Sequence, residues 1–488
     1  MQRYIYVVLL FFMSASLTAQ EHHYWSNQFG SRSALMGGAV VGGVRDTSAG
    51  YYNPGALGFV KKSSFSVTAN SYQMEFVSVD NGAGTGEPRE LESQELNIVP
   101  LLISGTAVLG NHTFGYSLVG KAQSSTKLSG RRAEIINVFD SNPDYLYPPS
   151  EIEKYGDYSG ITFDGPEDYR GQFSYNSKVS EMLGGASWAT DVLPYVSVGV
   201  SGFLALRSQR YSISSIARAA NTESGFIASE DKFSDADFYN IRTFFKFGVA
   251  ADFDELKLGA TLTTPSISLF GNGSVGAGLV RFREDQPLEN NLADDRQNDL
   301  DATYKSPMAL ALGMEYMITG QTIVAATIEW FAEQSNYEVM TPASRDYLVG
   351  DTSIKLDSKD VLTVKNGASS IVNFAFAIEH ALSSKMTGYF SFRTDFETFQ
   401  GHENELEPLG INNWNIYHTT LGIVRKKKDS ESAIGLVYSY GSQSNFKQLA
   451  NLDPSERQRN DFMLASENQT SADYSSLSLI IGYTYFFK

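Results

Sequence analysis

The sequence predicts an all-β fold, a transmembrane antiparallel β-barrel of about fourteen strands with an N-terminal plug in its lumen. Three observations predict it. Apolar and polar residues alternate with period two along most of the chain, long and short connections alternate without a break, and beyond the first nineteen residues no segment is apolar for the roughly 18 positions a spanning helix needs. Composition narrows the class further. Of the 488 residues 42% are hydrophobic, 13% aromatic and only 19% charged, so the chain is too greasy and too aromatic to be disordered. The 38 basic residues stand against 55 acidic ones, a net charge of −17, which offers no electrostatic footprint for nucleic acid. The basic run Arg425-Lys426-Lys427-Lys428 reads as a turn. With no cysteine there is no disulfide, thiolate metal site or lipidated cysteine.

Residues 1–19 carry Arg3, the apolar run from Tyr4 to Met13 and the ending Leu17-Thr18-Ala19, the pattern of a cleavable signal peptide; the run is about half the length needed to span a bilayer. Residues 20–63 do not alternate. They are rich in small residues, in Gly30-Ser31-Arg32-Ser33-Ala34-Leu35-Met36-Gly37-Gly38-Ala39 and in Ser48-Ala49-Gly50-Tyr51-Tyr52-Asn53-Pro54-Gly55, which suits a compact plug crowded by a barrel wall. Asn53 before a proline is held to extended or turn geometry.

Residues 64–488 alternate. Leu310, Leu312, Met314 and Tyr316 oppose Ala309, Ala311, Gly313 and Glu315; Val372, Phe374, Phe376 and Ile378 oppose Asn373, Ala375, Ala377 and Glu379; Leu477, Leu479, Ile481, Tyr483, Tyr485 and Phe487 close the chain with an aromatic end. About fourteen tracts begin near 64, 96, 112, 171, 195, 238, 255, 302, 322, 370, 385, 413, 431 and 471. Long gaps are expected near 80, 125, 216, 271, 340, 401 and 447, and short ones near 110, 189, 254, 319, 383 and 428, the alternation that outer loops and inner turns impose on a membrane barrel. The polar face is the lumen. With a long first connection, both termini lie in the periplasm of a Gram-negative cell, and the wall meets outer-membrane lipid and lipopolysaccharide.

Met36-Gly37-Gly38-Ala39, Asp46 and Asn53-Pro54 together resemble the N-terminal pattern of the FadL/TodX family of outer-membrane transporters for long-chain fatty acids and other hydrophobic compounds, with Gly55 where the family has Ala. Leu258 to Pro265, Ser306-Pro307, Ala311 to Tyr316 and Ile328-Glu329-Trp330 are similar to its strand signatures. The resemblance implies a fourteen-stranded barrel plugged by an N-terminal hatch to which Asp46, Asn53 and Pro54 belong. It also implies passive import of a hydrophobic small molecule, captured at outer loops and released sideways through a kinked strand. Some barrels of this type instead serve a protein-secretion machine, so secretion-system proteins are the alternative partners.

Other chemistry finds little support. Gly271-Asn272-Gly273-Ser274-Val275-Gly276 matches a dinucleotide motif but lacks the helix such a site requires, and reads as a loop root. His22-His23 reads as a solvated pair, and no serine is visible beside His380 or His418 to suggest a hydrolase, so no enzyme, cofactor or metal site is expected. The acidic stretch from Glu284 to Asp301 reads as a solvated loop. In the long loop from Ser125 to Gly171, Tyr145, Tyr147, Tyr155 and Tyr158 lie among prolines and suit surface capture of an apolar ligand. Glu315, Glu329, Glu379 and Arg393 fall on the polar parity as lumen charges that could hold a head group or the hatch.

Overall fold

The computed structural model describes residues 17–18, 23–85, 89–138, 166–283, 290–349, 356–398, 407–408, 414–453 and 463–487. Fourteen antiparallel wall strands close into a barrel. They are β1 (Ser64–Val79), β2 (Leu91–Leu109), β3 (His112–Ile136), β4 (Glu167–Leu193), β5 (Val196–Asn221), β6 (Ile227–Phe253), β7 (Leu256–Thr263 and Ile267–Arg283), β8 (Asn291–Asp301 and Ala309–Thr319), β9 (Thr322–Phe331 and Gln334–Met340), β10 (Val364–Ala368 and Ile371–Ser383), β11 (Met386–Asp395), β12 (Ile416–Lys426), β13 (Ser430–Lys447) and β14 (Gln469–Phe486). Closure comes from the first and last strands, which pair from Ser64 with Phe486 to Val79 with Ala472. No described helix is long and apolar enough to cross a membrane.

Period-two alternation becomes the two faces of the wall. Leu310, Leu312, Met314 and Tyr316 are exposed, as are Val372, Phe374 and Phe376, whereas Ala309, Ala311, Glu315, Asn373 and Ala377 are buried inside. An outward apolar belt around a filled interior is the inverse of a soluble barrel and fits a bilayer. The tight turns after β2, β4, β6, β8, β10 and β12 fall where the sequence places them, and the basic run lies at the turn between Lys426 and Ser430.

Four loop expectations are corrected. The gap near 216 is only the tip between Asn221 and Ile227, because β5 and β6 pair from Ala220 and Ile227 down to Val196 and Ala251. Gly271 to Gly276 is strand, not a loop root: a Cβ at Gly271 would stand 2.3 Å from the Ala302 carbonyl, so glycine here permits close approach of the neighbouring strand. Asn291–Asp301, read as solvated loop, pairs with β7. Strands also continue through much of the loop expected at Ser125 to Gly171, up to Ile136 and again from Glu167. Its residues Tyr145, Tyr147, Tyr155 and Tyr158 lie outside the described residues.

Inside the barrel, residues 23–60 touch most of the wall. They form two short helices, α1 (Ser31–Leu35) and α2 (Ala49–Tyr52), and a 3-10 turn from Pro54 to Phe59. Phe29, Leu35, Met36 and Leu57 make one core with wall residues Leu102, Val119, Phe203 and Ala377. A second core closes the long-loop end, where Met340, Leu362, Trp414 and Leu452 meet Val79, Phe173 and Phe238.

Candidate functional site

Asn53 anchors the N-terminal segment. Its backbone is extended (φ −150°, ψ 96°), as a residue before proline must be, which lets the side-chain Oδ1 accept from Gly55 N at 3.0 Å and cap the following turn. The same amide donates through Nδ2 to Val41 O at 2.9 Å and to Val249 O on β6 at 3.0 Å, joining two parts of the segment to the wall. Wall glycines make the seat: a Cβ at Gly199 would lie 2.3 Å from Pro54 O, and one at Gly248 2.2 Å from Asn53 Oδ1. Asp46 works locally, accepting from the Ser48 backbone N–H at 2.8 Å and from its hydroxyl. Asn53→Ala leaves two buried carbonyls and one N–H without their partner, and is expected to lower the unfolding free energy of the docked segment by about 2–4 kcal/mol. Limited proteolysis of the purified barrel would show it as cleavage between residues 23 and 63, with the wall intact.

The four lumen charges singled out above all reach this segment. Arg32 on α1 donates Nη2 to Glu315 Oε2 and Nε to Glu379 Oε2, both at 2.7 Å, and Glu315 also pairs with Lys257. Burial works most strongly against the Arg32 charge, but Glu315 and then Glu379 outweigh it, so its pKa lies above the ordinary arginine value. Glu329 Oε2 accepts from Trp25 Nε1 at 2.6 Å. Arg393 donates to Trp25 O at 3.1 Å and Ser26 O at 2.9 Å, while Asp395 accepts from Trp25 N at 2.9 Å and lies 3.6 Å from His23. His23 is therefore buried against a carboxylate, which corrects its reading as solvated.

Residues 23–28 thus form a strap across the lumen, with a cavity on each side. The first, about 70 Å³, is lined by Trp25, Val41, Tyr51, Phe244, Pro307 and Phe331 together with Lys121, Lys246 and Glu329. Lys246 is buried, its ammonium 4.5 Å from the Tyr51 ring, and among the described residues no carboxylate lies within ion-pair distance of it. Beside the cavity Glu181 pairs with Arg207 at 3.0 Å, Arg242 at 2.8 Å and Lys121 at 3.6 Å. Among the described residues, the charged groups lining this cavity are Lys121, Lys246 and Glu329. The second cavity, about 60 Å³, is lined by Gln73, Glu75, Leu101, Gln123, Ser124, Thr126, Arg393, Trp414 and His418.

The second cavity sits behind an interruption of the wall. β2 and β3 pair only from Leu109 with His112 to Leu102 with Val119; beyond that level β2 pairs with β1 alone and β3 with β4 alone. Register shifts flank Leu101 and Lys121 at the base of this split, and Pro100, with no N–H to give a ladder, lies just above the last rung. Higher up the edges meet again, Lys127 N donating to Ser93 Oγ at 3.1 Å and Lys127 Nζ lying 3.1 Å from Glu95. On the inner side the strap closes on the split through Asn27 Nδ2, 3.4 Å from Lys121 O.

The closed fourteen-strand wall can be compared with solved structures. The chain superposes on a Pseudomonas aeruginosa FadL homologue with a TM-score of 0.59 and 13% identity, over 96% of this chain and 100% of that one. The fold is that of the FadL/TodX barrels. The Ralstonia pickettii toluene transporter TbuX gives 0.55 and 12% over 95% and 99% of the two chains, and the P. putida toluene transporter TodX gives 0.54 and 13% over 94% and 99%. No protein-family model and no curated protein matches by sequence.

In this FadL/TodX-type barrel several site residues escape sequence reading. Arg32, Trp25 and Asp395 carry no signal apart from their partners. Lys246, between Phe245 and Phe247 on the inward parity, and Pro100, inside an alternating tract, were visible signals for the charged cavity and the split. His418 and Ser439 do meet, Nδ1 to Oγ at 2.7 Å, because they face each other across β12 and β13; no acid is recorded at Nε2 among the described residues to orient the ring as a hydrolase base.

Proposed function

We propose that this protein carries hydrophobic molecules with a carboxylate head, long-chain fatty acids above all, passively across the outer membrane, with both termini in the periplasm. The observation that carries the carboxylate is Lys246, a buried ammonium without a carboxylate partner in a cavity whose other walls are largely apolar. A buried cation gains most from an anion that arrives with the ligand. The solved toluene transporters of this fold supply the precedent for an apolar cargo. The cavity is too small for a long acyl chain, so occupancy requires the strap and hatch to move. Asp46, Asn53 and Pro54 belong to that hatch, and Tyr145, Tyr147, Tyr155 and Tyr158 to the capture loop. The split between β2 and β3 then gives the chain a sideways exit, so that it need not cross water.

The test is uptake of labelled oleate and labelled toluene by cells lacking the protein, complemented with wild type or Lys246→Met at matched surface abundance. Wild type is expected to restore oleate uptake and Lys246→Met to lower it about tenfold, the scale of one charge-assisted contact, with toluene unaffected. Equal oleate uptake with and without the protein would sink the reading and favour a role with secretion-system proteins, tested by copurification.

A further inference from the structure

We infer that the cavity behind the split is a second ligand site, which holds the hydroxyl head of an uncharged amphiphile while its tail runs out between β2 and β3 into the bilayer. Two buried groups in its lining point to a ligand. Among the described residues, Trp414, with no exposed surface, has no hydrogen-bond partner for Nε1, and His418, 3% exposed, has none for Nε2. The imidazole is held on its other nitrogen by Ser439 on the adjacent strand, and both residues line the cavity. Leaving such groups unmatched is costly, so the chamber is expected to take a partner for them.

The chemistry selects the head group. Trp414 Nε1 can only donate, whereas His418 Nε2 donates or accepts according to its tautomer; a hydroxyl, both donor and acceptor, satisfies either arrangement. The charges facing the chamber argue against an anion. Glu75 presents a carboxylate that accepts from Gln73 Nε2 at 2.7 Å and Asn97 Nδ2 at 3.3 Å; Arg393 gives Nε and Nη2 to the strap carbonyls and lies beside Asp395, and His23 is 3.6 Å from that same aspartate. The first cavity, by contrast, carries the excess of cations. Size selects the pose: about 60 Å³ admits a head group and no long chain, and the chamber's lining from Leu101, Gln123, Ser124 and Thr126 is made by the two edges of the split. This site does not depend on the fatty-acid reading, which concerns the other side of the strap.

The experiment measures binding of tritiated oleyl alcohol and tritiated oleate to the full-length protein in lipid nanodiscs, for wild type, His418→Leu, His418→Asn, Trp414→Phe and Lys246→Met. His418→Leu and Trp414→Phe are each expected to weaken oleyl alcohol about fivefold, the scale of one neutral hydrogen bond, and to leave oleate within about twofold, while His418→Asn restores part of the loss. Lys246→Met is expected to do the opposite. If oleyl alcohol binds both chamber variants as it binds wild type, or follows only Lys246→Met, the second site does not exist. Loss of both ligands together in the chamber variants would equally overturn it, by showing one shared site. Should His418→Leu not fold, Trp414→Phe carries the same test. Unchanged oleate binding in Lys246→Met would count against the carboxylate reading alone.

Discussion

Replacing Arg32 by alanine is expected to turn a closed barrel into a leaky one, with ion conductance in planar bilayers rising well above the wild-type background. Arg32 forms ion pairs with two wall carboxylates, Glu315 on β8 and Glu379 on β10, and it is largely buried while doing so. Removing it leaves Glu379 without this partner and Glu315 with Lys257 alone, in a site that water reaches poorly. Breaking a buried pair by removing one partner costs about 3–5 kcal/mol, which converts to a rise of roughly 10²–10⁴ in the undocked fraction of the segment. The triple variant Arg32→Ala/Glu315→Gln/Glu379→Gln, which removes the stranded charges as well, should recover part of the closure. A folded Arg32→Ala barrel that conducts no more than wild type would show that the seat around Asn53 suffices to hold the segment and that the ion pairs do not.

The wall was legible in the sequence because alternation is a local property: each strand carries its own two faces, as Leu312 against Gly313 and Phe376 against Ala377 show, and a closed sheet repeats the rule around the barrel. Strand ends were less legible. Near 216 small and polar residues replace the large apolar ones, and Asn291–Asp301 is polar on both faces, so period two fades although the ladder continues. The interior was legible in part. Asn53-Pro54 announced a turn through chain geometry, but its hydrogen bond to Val249 joins residues 196 positions apart, which no local pattern encodes. The same holds for Arg32 with Glu315 and Glu379, where the sequence showed the carboxylates on the inward parity and gave no means of choosing their cation. The split was written locally in Pro100, yet its meaning required the knowledge that the ladder between β2 and β3 ends at Val119.

Pinning the two edges of that split together is expected to stop transport without unfolding the barrel. Glu95 on β2 and Lys127 on β3 already reach across it, 3.1 Å apart at their charged ends, and are partly to well exposed, so replacing them perturbs no core. An exposed pair of this kind contributes at most about 1 kcal/mol, so Glu95→Cys/Lys127→Cys should fold and, while reduced, transport as wild type does. The chain contains no cysteine, so a short bis-methanethiosulfonate reagent has only this pair to join. Once joined, the upper strands cannot part, and a ligand tail lying between Leu101 on one edge and Gln123 on the other has no way into the bilayer. Oleate uptake by cells carrying the cross-linked barrel should fall to the level of cells lacking the protein, and reduction of the link should restore it. Arg32→Ala conductance, measured on the cross-linked protein, separates the two devices: ions passing along the barrel axis need only the displaced segment, whereas an apolar cargo needs the lateral way out. Uptake that survives complete cross-linking would place the exit along the barrel axis, through the space the segment vacates.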